Sequence, residues 1–235
     1  MSEYHPAQLS LAVQLPDDET FASFYPGENA QLITTLKNAA IGQGAPLLFF
    51  WGASGSGRSH LLHATCAEVN ATGEAALYIP LEQHERFDPR ILEEMEQLPL
   101  VCLDNLDAIA GHRLWEESLF DFFNRWKENN RGSLIVTAAT APRKLGLCLP
   151  DLASRLDWGL AFQLHELDDE GKLGALQLRA ALRGLKLPVD AGRFLLNRLS
   201  RDMRTLLQCL DELDKASLHA KRKLTIPFIK EILGL

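Results

Sequence analysis

The sequence of 235 residues lacks the features that mark several classes of protein. It has no apolar run near the ~20 residues that a membrane helix requires, and its densest run, Ala45 to Trp51, is only as long as a strand. It holds four cysteines, and none of them forms a CxxC pair. These absences exclude a helical membrane protein, a disulfide scaffold and a zinc module. The first residues include no basic segment followed by an apolar stretch, so we expect a cytoplasmic protein without a secretory signal.

The sequence also has fewer basic than acidic residues. The chain carries 24 Lys and Arg residues against 31 Asp and Glu residues, which gives a net charge of −7. Residues 1–165 hold 21 acidic and 11 basic side chains, whereas residues 166–235 hold 10 and 13, so the net charge changes from −10 to +3. This balance argues against a protein that coats DNA through phosphate contacts. It indicates an acidic body followed by a second, mildly basic unit, although a solvated surface without a partner would explain the charge equally well.

Short apolar runs alternate with helical periodicity through residue 139. We predict strands at 46–51, 75–81, 98–103 and 133–139, and helices at 29–43, 59–71, 89–97 and 114–129. This alternation predicts a parallel sheet in a three-layer α/β fold. From Asp168 onward the pattern is all-helical, with helices predicted at 169–182, 190–199, 202–220 and 226–233. The expected organisation is a flexible arm (1–19), an αβα base domain (20–165) and a small all-helical lid domain (166–235).

The strongest chemical signal lies between the first strand and the helix that follows it. Residues 52–59 read GASGSGRS, which fits the phosphate-loop pattern GxxxxGK[ST] except that arginine replaces lysine. Small residues allow consecutive backbone N–H groups to surround phosphate oxygens, and the positive end of the next helix points at the same anion. A plain glycine turn is the alternative, but the flanking strand and helix favour nucleotide binding. The residues expected to bind the nucleotide here are Gly52, Ser54, Gly55, Ser56, Gly57, Arg58, Ser59 and His60.

A second signal is the apolar run that ends in Asp104 and Asn105. A carboxylate at the end of a strand beside the phosphate loop can hold Mg²⁺ and its water shell, so we expect Ser59 and Asp104 to bind Mg²⁺ together with the nucleotide. In many ATPases the next residue is a carboxylate that polarises the attacking water. Asn105 can orient water, but it cannot accept a proton. Together with Arg58, this substitution favours a nucleotide binder with weak or no hydrolysis of its own.

The order of these parts resembles that of AAA+ ATPases and, among them, the DnaA family of bacterial replication initiators. Residues 18–27 resemble the segment that lines the adenine pocket in this family, which implies that Tyr25 contacts the base. Residues 133–137 resemble the sensor-1 strand, with Thr137 facing the γ-phosphate. Residues 202–206 resemble sensor 2, with Arg204 closing the lid over ADP or ATP. The resemblance covers nearly the whole chain and implies an AAA+ αβα domain with a helical lid.

Arg155 lies in a segment, 151–159, that is similar to the box carrying the arginine finger in this family. The resemblance implies that Arg155 reaches the nucleotide site of a neighbouring molecule and stabilises charge on its γ-phosphate. The alternative is a surface arginine paired with Asp151 or Asp157.

The amino-terminal arm contains the sequence QLSLAV, which resembles the peptide that docks bacterial proteins on the DNA polymerase sliding clamp. Gln8 would hydrogen-bond at the rim of a pocket, and Leu9, Leu11 and Val13 would enter apolar clefts. An edge strand that buries the three apolar side chains on one face is the alternative.

The family resemblance implies a regulator rather than an initiator, since the lid is not followed by a helix-turn-helix DNA-binding domain. We expect the chain, docked on the DNA-loaded clamp, to promote hydrolysis of the ATP bound to DnaA and so repress re-initiation of replication. The expected partners are DnaA, the clamp, DNA indirectly through the clamp, and a second copy of the chain, with the protein associated with the nucleoid or replisome and not with a membrane. A helicase-loading or DNA-remodelling ATPase and a small-molecule phosphotransferase are the alternatives. The first requires a basic track for single-stranded DNA, and the second a substrate pocket with catalytic groups.

Overall fold

The computed structural model describes residue 16, residues 18–129 and residues 131–235. The expected clamp-docking residues Gln8, Leu9, Leu11 and Val13 therefore lie outside the described residues. Five parallel strands form one sheet in the order β2-β3-β4-β1-β5. The strands are β1 (Leu47–Trp51), β2 (Ala76–Pro80), β3 (Leu100–Asp104), β4 (Ser133–Ala138) and β5 (Leu160–Gln163).

Helices cover both faces of this sheet and then continue as a separate helical layer toward the carboxyl end of the sequence. The helices are α1 (Ala30–Ala40), α2 (Arg58–Ala71), α3 (Arg113–Asn129), α4 (Pro150–Leu156), α5 (Asp169–Leu182), α6 (Val189–Arg198), α7 (Met203–Ala220) and α8 (Ile226–Leu233). No helix of the described residues is both long and apolar enough to cross a membrane.

The sheet is buried on both faces because its central strands β1, β3 and β4 are mostly apolar, with Asp104, Ser133 and Thr137 as the polar residues near strand ends. Leu47 and Phe49 of β1 pack with α3 and α4 in one core, whereas Leu48 and Phe50 pack with α1 and α2 in the other. Successive side chains of a strand point to opposite faces, so a continuous apolar run supplies both cores. The predicted three-layer α/β fold is confirmed.

The helical lid has its own core, built on leucines at helical spacing and closed by Phe228. Two of its helices begin at an aspartate that caps the free N–H groups of the first turn. Asp168 accepts a hydrogen bond from Gly171 N (2.7 Å) at α5, and Asp202 accepts one from Thr205 N (2.9 Å) at α7. The predicted all-helical character of this part is confirmed.

The prediction of a helix at 89–97 is wrong. The segment forms two 3₁₀ turns, Pro89–Leu92 and Met95–Gln97, separated by Glu94 in the left-handed region at φ 65°. Side chains of α3 bind two carbonyl oxygens of this segment, and one of them, Leu92 O, would accept a hydrogen bond within a continuous helix. Arg125 donates to Leu92 O at 3.0 Å, and Asn129 donates to Glu96 O at 2.6 Å. Tertiary hydrogen bonds thus replace helical ones.

Candidate nucleotide-binding site

The phosphate loop connects β1 to α2 and depends on its glycines. Gly55 and Gly57 have φ of +80° and +100°, values that L side chains rarely adopt. A Cβ on Gly57 would lie 2.7 Å from the Phe24 ring, and one on Gly55 would lie 2.8 Å from Asp202 Oδ1. Gly57 occupies the N-cap of α2 without a side-chain acceptor, so the first N–H groups of this helix are not capped by a side chain of their own cap residue.

Two polar groups of the loop fit a bound phosphate. Ser56 Oγ and Arg58 Nη1 are buried and lack a hydrogen-bond partner among the described residues. The nearest carboxylate oxygen paired with Arg58 is Asp107 Oδ1 at 4.0 Å, which is beyond hydrogen-bond distance. A buried guanidinium nitrogen without an acceptor is costly, and a phosphate oxygen would relieve that cost. The loop therefore has the donors that a nucleotide phosphate requires.

Asp104 is the centre of a buried hydroxyl cluster at the end of β3. Its carboxylate accepts hydrogen bonds from Ser59 Oγ (2.6 Å), from the Tyr78 hydroxyl (2.8 Å) and from Thr137 Oγ1. Burial, together with the negative charge of Asp104, raises the pKa of Tyr78, so its hydroxyl keeps its proton and remains a donor.

This cluster fits Mg²⁺ through its oxygen donors. Ser59 gives its single hydroxyl proton to Asp104, which leaves the oxygen lone pairs free for a metal ion. Ser59 would be the direct ligand, and Asp104 would hold Ser59 in place and accept hydrogen bonds from the water shell. When bound, Mg²⁺ neutralises charge on the phosphates.

Thr137 and Asn105 are joined to the same cluster. Thr137 is fully buried, gives its proton to Asp104 and accepts a hydrogen bond from the Asn105 backbone N–H at 3.1 Å. Asn105 has φ of 58°, and its side-chain amide donates to Glu82 Oε2 at 3.3 Å. The Thr137 hydroxyl thus faces the Asp104 carboxylate in this structure, and its contact with a γ-phosphate stays a prediction.

The segment that precedes α1 runs between the phosphate-loop helix and the lid. His60 Nε2 lies 2.8 Å from Thr20 O and 3.3 Å from Ser23 Oγ, and burial lowers the pKa of His60. His60 therefore fastens this segment to α2. Its expected contact with the nucleotide stays a prediction.

The lid approaches the phosphate loop through two helices. The Tyr25 ring packs so closely on α5 that a Cβ on Gly174 would lie 2.6 Å from it. Asp202, at the start of α7, lies beside Gly55, and Arg204 is exposed in the first turn of the same helix. The structure thus brings Tyr25 and Arg204 to the elements that border the loop.

An open cleft of about 540 Å³ adjoins the first residues of the loop. It lies at the carboxyl ends of β1, β4 and β5, the edge of a parallel sheet where ligands usually bind. Gly52 and Ala53 line one side, and Lys144 and Glu166 are among the charged residues that line it.

Comparisons with known proteins decide the family. Residues 15–163 match the family model of the bacterial DnaA ATPase domain. The chain belongs to this family. Residues 169–233 match a second family model, described as the lid domain of Hda, so the chain is an Hda-type DnaA-homologous AAA+ protein. The resemblance that the motifs indicated is confirmed, and it places the chain among DnaA-related proteins of replication control.

Solved structures agree with this fold. Domain III of DnaA from Thermotoga maritima has a TM-score of 0.77 at 20% identity, over 94% of this chain and 97% of that one. DnaA from Aquifex aeolicus, solved with AMPPCP, has a TM-score of 0.68 at 21% identity, over 84% of this chain and 66% of that one. The RuvB branch-migration motor of Thermotoga maritima has a TM-score of 0.61 at 14% identity, over 87% and 66%.

Arg155 of this Hda-type chain does not lie at its own phosphate loop. The chain leaves α4 through Gly159, whose Cβ position would touch Leu47 at the amino end of β1, whereas the loop follows the carboxyl end of β1. A five-residue strand separates the two edges by roughly 15 Å. Arg155 is half-buried, stacks 4.2 Å above the Phe120 ring and donates to Asn124 Oδ1.

Neither expected ion pair of Arg155 forms in the part of the chain that the structure describes. Asp157 binds Arg143 at 2.5 Å instead, and Asp151 is exposed. The alternative interpretation of Arg155 as the surface partner of these aspartates is therefore wrong.

Sequence reasoning missed three site residues, Tyr78, Glu82 and Asp107. Tyr78 and Glu82 come from β2 and the turn after it, and they reach Asp104 and Asn105 because β2 and β3 pair with Pro80 opposite Asp104. Only the strand order reveals this contact. Asp107 could have been found, since it follows Asp104 by one turn; it accepts a hydrogen bond from Ala139 N at 2.8 Å and lies near Arg58.

Proposed function

We propose that this chain binds ADP or ATP with Mg²⁺ in its phosphate loop and stimulates hydrolysis of ATP bound to DnaA. The observation that carries the proposal is the match of one chain to both the DnaA ATPase domain and the Hda lid domain. A nucleotide site is supported by the unsatisfied donors Ser56 Oγ and Arg58 Nη1 and by the hydroxyl cluster on Asp104. The DnaA of Aquifex aeolicus was solved with AMPPCP, which supports an adenine nucleotide as the ligand.

Arg155 is proposed as the residue that acts on the initiator. It lies at the opposite edge of the sheet from its own loop, so it is available to the nucleotide site of a neighbouring molecule. A guanidinium fork can bind two phosphate oxygens and stabilise the charge that builds up as the γ-phosphoryl group leaves. The stacked Phe120 ring and the Asn124 side chain hold this fork in one orientation.

Docking on the sliding clamp is proposed for the arm that includes Gln8, Leu9, Leu11 and Val13. Such docking would bring an acidic protein to DNA without phosphate contacts of its own, in keeping with the net charge of −7. It would also restrict the activity to clamps already loaded on DNA, and so to chromosomes whose replication has begun. This would repress re-initiation.

The helicase-loading alternative is less well supported. Such an ATPase needs strong hydrolysis and a basic track for single-stranded DNA. The residue after Asp104 is an amide, and residues 1–165 carry a net charge of −10.

The proposal is tested by loading DnaA with γ-labelled ATP and adding this chain preloaded with ADP. We expect phosphate release to accelerate when DNA-loaded clamp is present and to stay slow when the clamp is omitted. A double variant, Gln8→Ala with Leu9→Ala, should lose the dependence on the clamp because it cannot dock, and its rate should equal the rate without clamp. The docking proposal would be contradicted if the rate of phosphate release were the same with and without the clamp, and the same for the double variant as for wild type.

A further inference from the structure

The position that in many ATPases supplies the carboxylate for water activation is an amide in this chain. The structure brings a carboxylate to that amide from the neighbouring strand. Asn105 Nδ2 donates to Glu82 Oε2 at 3.3 Å. Because β2 and β3 are parallel and Pro80 pairs with Asp104, Glu82 and Asn105 leave the sheet at the same edge, directly after their strands.

The negative charge of Glu82 also acts on the hydroxyl cluster around Asp104. Tyr78, whose hydroxyl binds Asp104 at 2.8 Å, has its pKa raised chiefly by burial and by Asp104, with a further contribution from Glu82. Glu82 therefore borders the group of side chains that would hold Mg²⁺, while its own side chain remains exposed to solvent. A carboxylate in this place can accept a hydrogen bond from a water molecule beside the phosphates.

Asp107, two residues after Asn105, is another carboxylate in this region, and its contacts differ from those of Glu82. Its Oδ1 accepts a hydrogen bond from Ala139 N at 2.8 Å and lies 4.0 Å from Arg58 Nη1. Asp107 thus connects the 3₁₀ turn Leu106–Ile109 to the residue that follows β4, and it partly offsets the charge of Arg58. In the described part of the chain, Glu82 takes part in no ion pair, and its side chain accepts a hydrogen bond from Asn105.

We propose that Glu82 is the catalytic carboxylate for slow hydrolysis of the ATP that this chain itself binds, with Asn105 orienting the water. This rests on the proposed nucleotide site. The water oxygen forms a bond to the γ-phosphorus, and the bond from the γ-phosphorus to the β–γ bridging oxygen breaks with its electron pair remaining on ADP. Glu82 takes a proton from the water and releases it to solvent, so that ATP and water give ADP, inorganic phosphate and a proton. The chain would thereby produce its own ADP-bound state.

The test is single-turnover hydrolysis of γ-labelled ATP by the full chain without DnaA. We expect Glu82→Gln to lower the rate by about 100-fold, the scale of general base catalysis. Glu85→Gln is the matched control, since Glu85 is an exposed glutamate in the same 3₁₀ segment, and it should keep the wild-type rate. Adding Asn105→Asp to Glu82→Gln should restore part of the rate, because a carboxylate returns next to the lost one.

Two further readouts separate catalysis from binding and folding. Affinity for fluorescent ADP should stay within about twofold of wild type in Glu82→Gln, whereas trapping of ADP with aluminium fluoride, which mimics the transferred group with its attacking water, should be lost. Glu82→Gln loaded with ADP should still stimulate DnaA. The regulatory proposal therefore stands even if the proposed role of Glu82 is wrong. A wild-type chain without hydrolysis, a Glu82→Gln variant with the wild-type rate, or one that fails to bind ADP would each overturn the role of Glu82.

Discussion

Asp104 is almost completely buried, at 1% exposure, and both of its oxygens accept hydrogen bonds from hydroxyl groups. Three donors from three elements, Ser59, Tyr78 and Thr137, therefore depend on one carboxylate. Such a cluster would hold these side chains in place before the proposed Mg²⁺ binds, and it is sensitive to loss of either carboxylate oxygen as an acceptor.

Replacing Asp104 with Asn should weaken both the fold and Mg²⁺-dependent nucleotide binding. An amide presents an NH₂ group to a hydroxyl that already donates, so one buried donor loses its acceptor. We expect the free energy of unfolding to fall by about 1–3 kcal/mol. Urea denaturation followed by circular dichroism measures the loss of stability. Titration with fluorescent ADP at low and high Mg²⁺ measures the loss of Mg²⁺-dependent nucleotide binding. A variant with unchanged stability and an unchanged Mg²⁺ requirement would contradict the role of Asp104 as the common acceptor of these hydroxyl groups.

A second prediction for a single residue concerns His60, whose protonation should make the free energy of unfolding depend on pH. Burial lowers the pKa of His60, so between its folded pKa and the unfolded value of about 6.5 the unfolded chain binds more protons than the folded chain. Stability should therefore fall as the pH drops below about 6.5, with a slope from this proton of at most about 1.4 kcal/mol per pH unit.

The measurement is the urea midpoint at pH 7.5 and at pH 5.5. His60→Gln should show a smaller difference between the two than wild type, because Gln can still donate to Thr20 O but cannot be protonated. His219→Gln, at an exposed histidine near the end of α7, should keep the wild-type difference. Equal pH dependence in wild type and His60→Gln would rule out this account.

Sequence reasoning reached the residues of the phosphate loop and Asp104 because each is marked by local spacing. Gly57 must be glycine since its φ is positive and Phe24 leaves no room for a Cβ. Tyr78 and Glu82 carry no such mark, because they reach the site only through the pairing of β2 with β3. For Thr137 the apolar run predicted the strand and the family resemblance implied the role, whereas the direction of its hydroxyl depends on tertiary packing.

At the scale of elements, the segment before α1 is held by both the base and the lid. Arg179 of α5 is buried at 8% exposure, donates to Asp18 O at 2.6 Å and also binds the Asp18 carboxylate. Arg183 lies 3.7 Å from the same carboxylate. On the other side, His63 of α2 contacts Glu19 at 2.5 Å. This segment therefore links α2 to α5 directly.

Arg179→Met should lower the free energy of unfolding by about 1–3 kcal/mol, since the Asp18 carbonyl loses the charged one of its two donors and keeps only the Ser23 hydroxyl. The ion-pair part contributes less because the Asp18 side chain is 56% exposed and screened by solvent. Arg193→Met, which removes an exposed pair with Glu170, should change the value by less than about 0.5 kcal/mol. Urea denaturation of both variants compares them, and an equal loss in the two would contradict the importance of the α5 contact.

The elements predicted correctly are those with a strong period. β1 and β3 are continuous apolar runs, and α3, α5 and α7 have long amphipathic patterns, so their predicted ranges agree with the structure to within a few residues. The helix at 89–97 failed because Arg125 and Asn129 of α3 bind the carbonyls of that segment. The strand β5 was not predicted, since this edge strand has only four residues, three of them exposed, and so lacks a clear pattern.

At the scale of the whole molecule, the two surfaces proposed to act in function lie at opposite edges of one sheet. The phosphate loop, the Asp104 cluster and the lid helices α5 and α7 meet at the carboxyl edge. Arg155 belongs to the helix that ends at the amino edge of β1, where Phe120 and Asn124 hold its guanidinium. This separation is what an arginine that serves a second molecule requires, and the account of the protein as a DnaA regulator depends on it.

The most direct test is the rate at which DnaA hydrolyses γ-labelled ATP in the presence of DNA-loaded clamp and this chain preloaded with ADP. Arg155→Ala should return the rate to that of DnaA alone, because an arginine finger contributes about 10³-fold or more, and Arg155→Lys should rescue little since an ammonium cannot bridge two phosphate oxygens. Arg143→Ala, at an arginine 86% exposed, should stimulate like wild type. Full stimulation by Arg155→Ala would contradict the central claim.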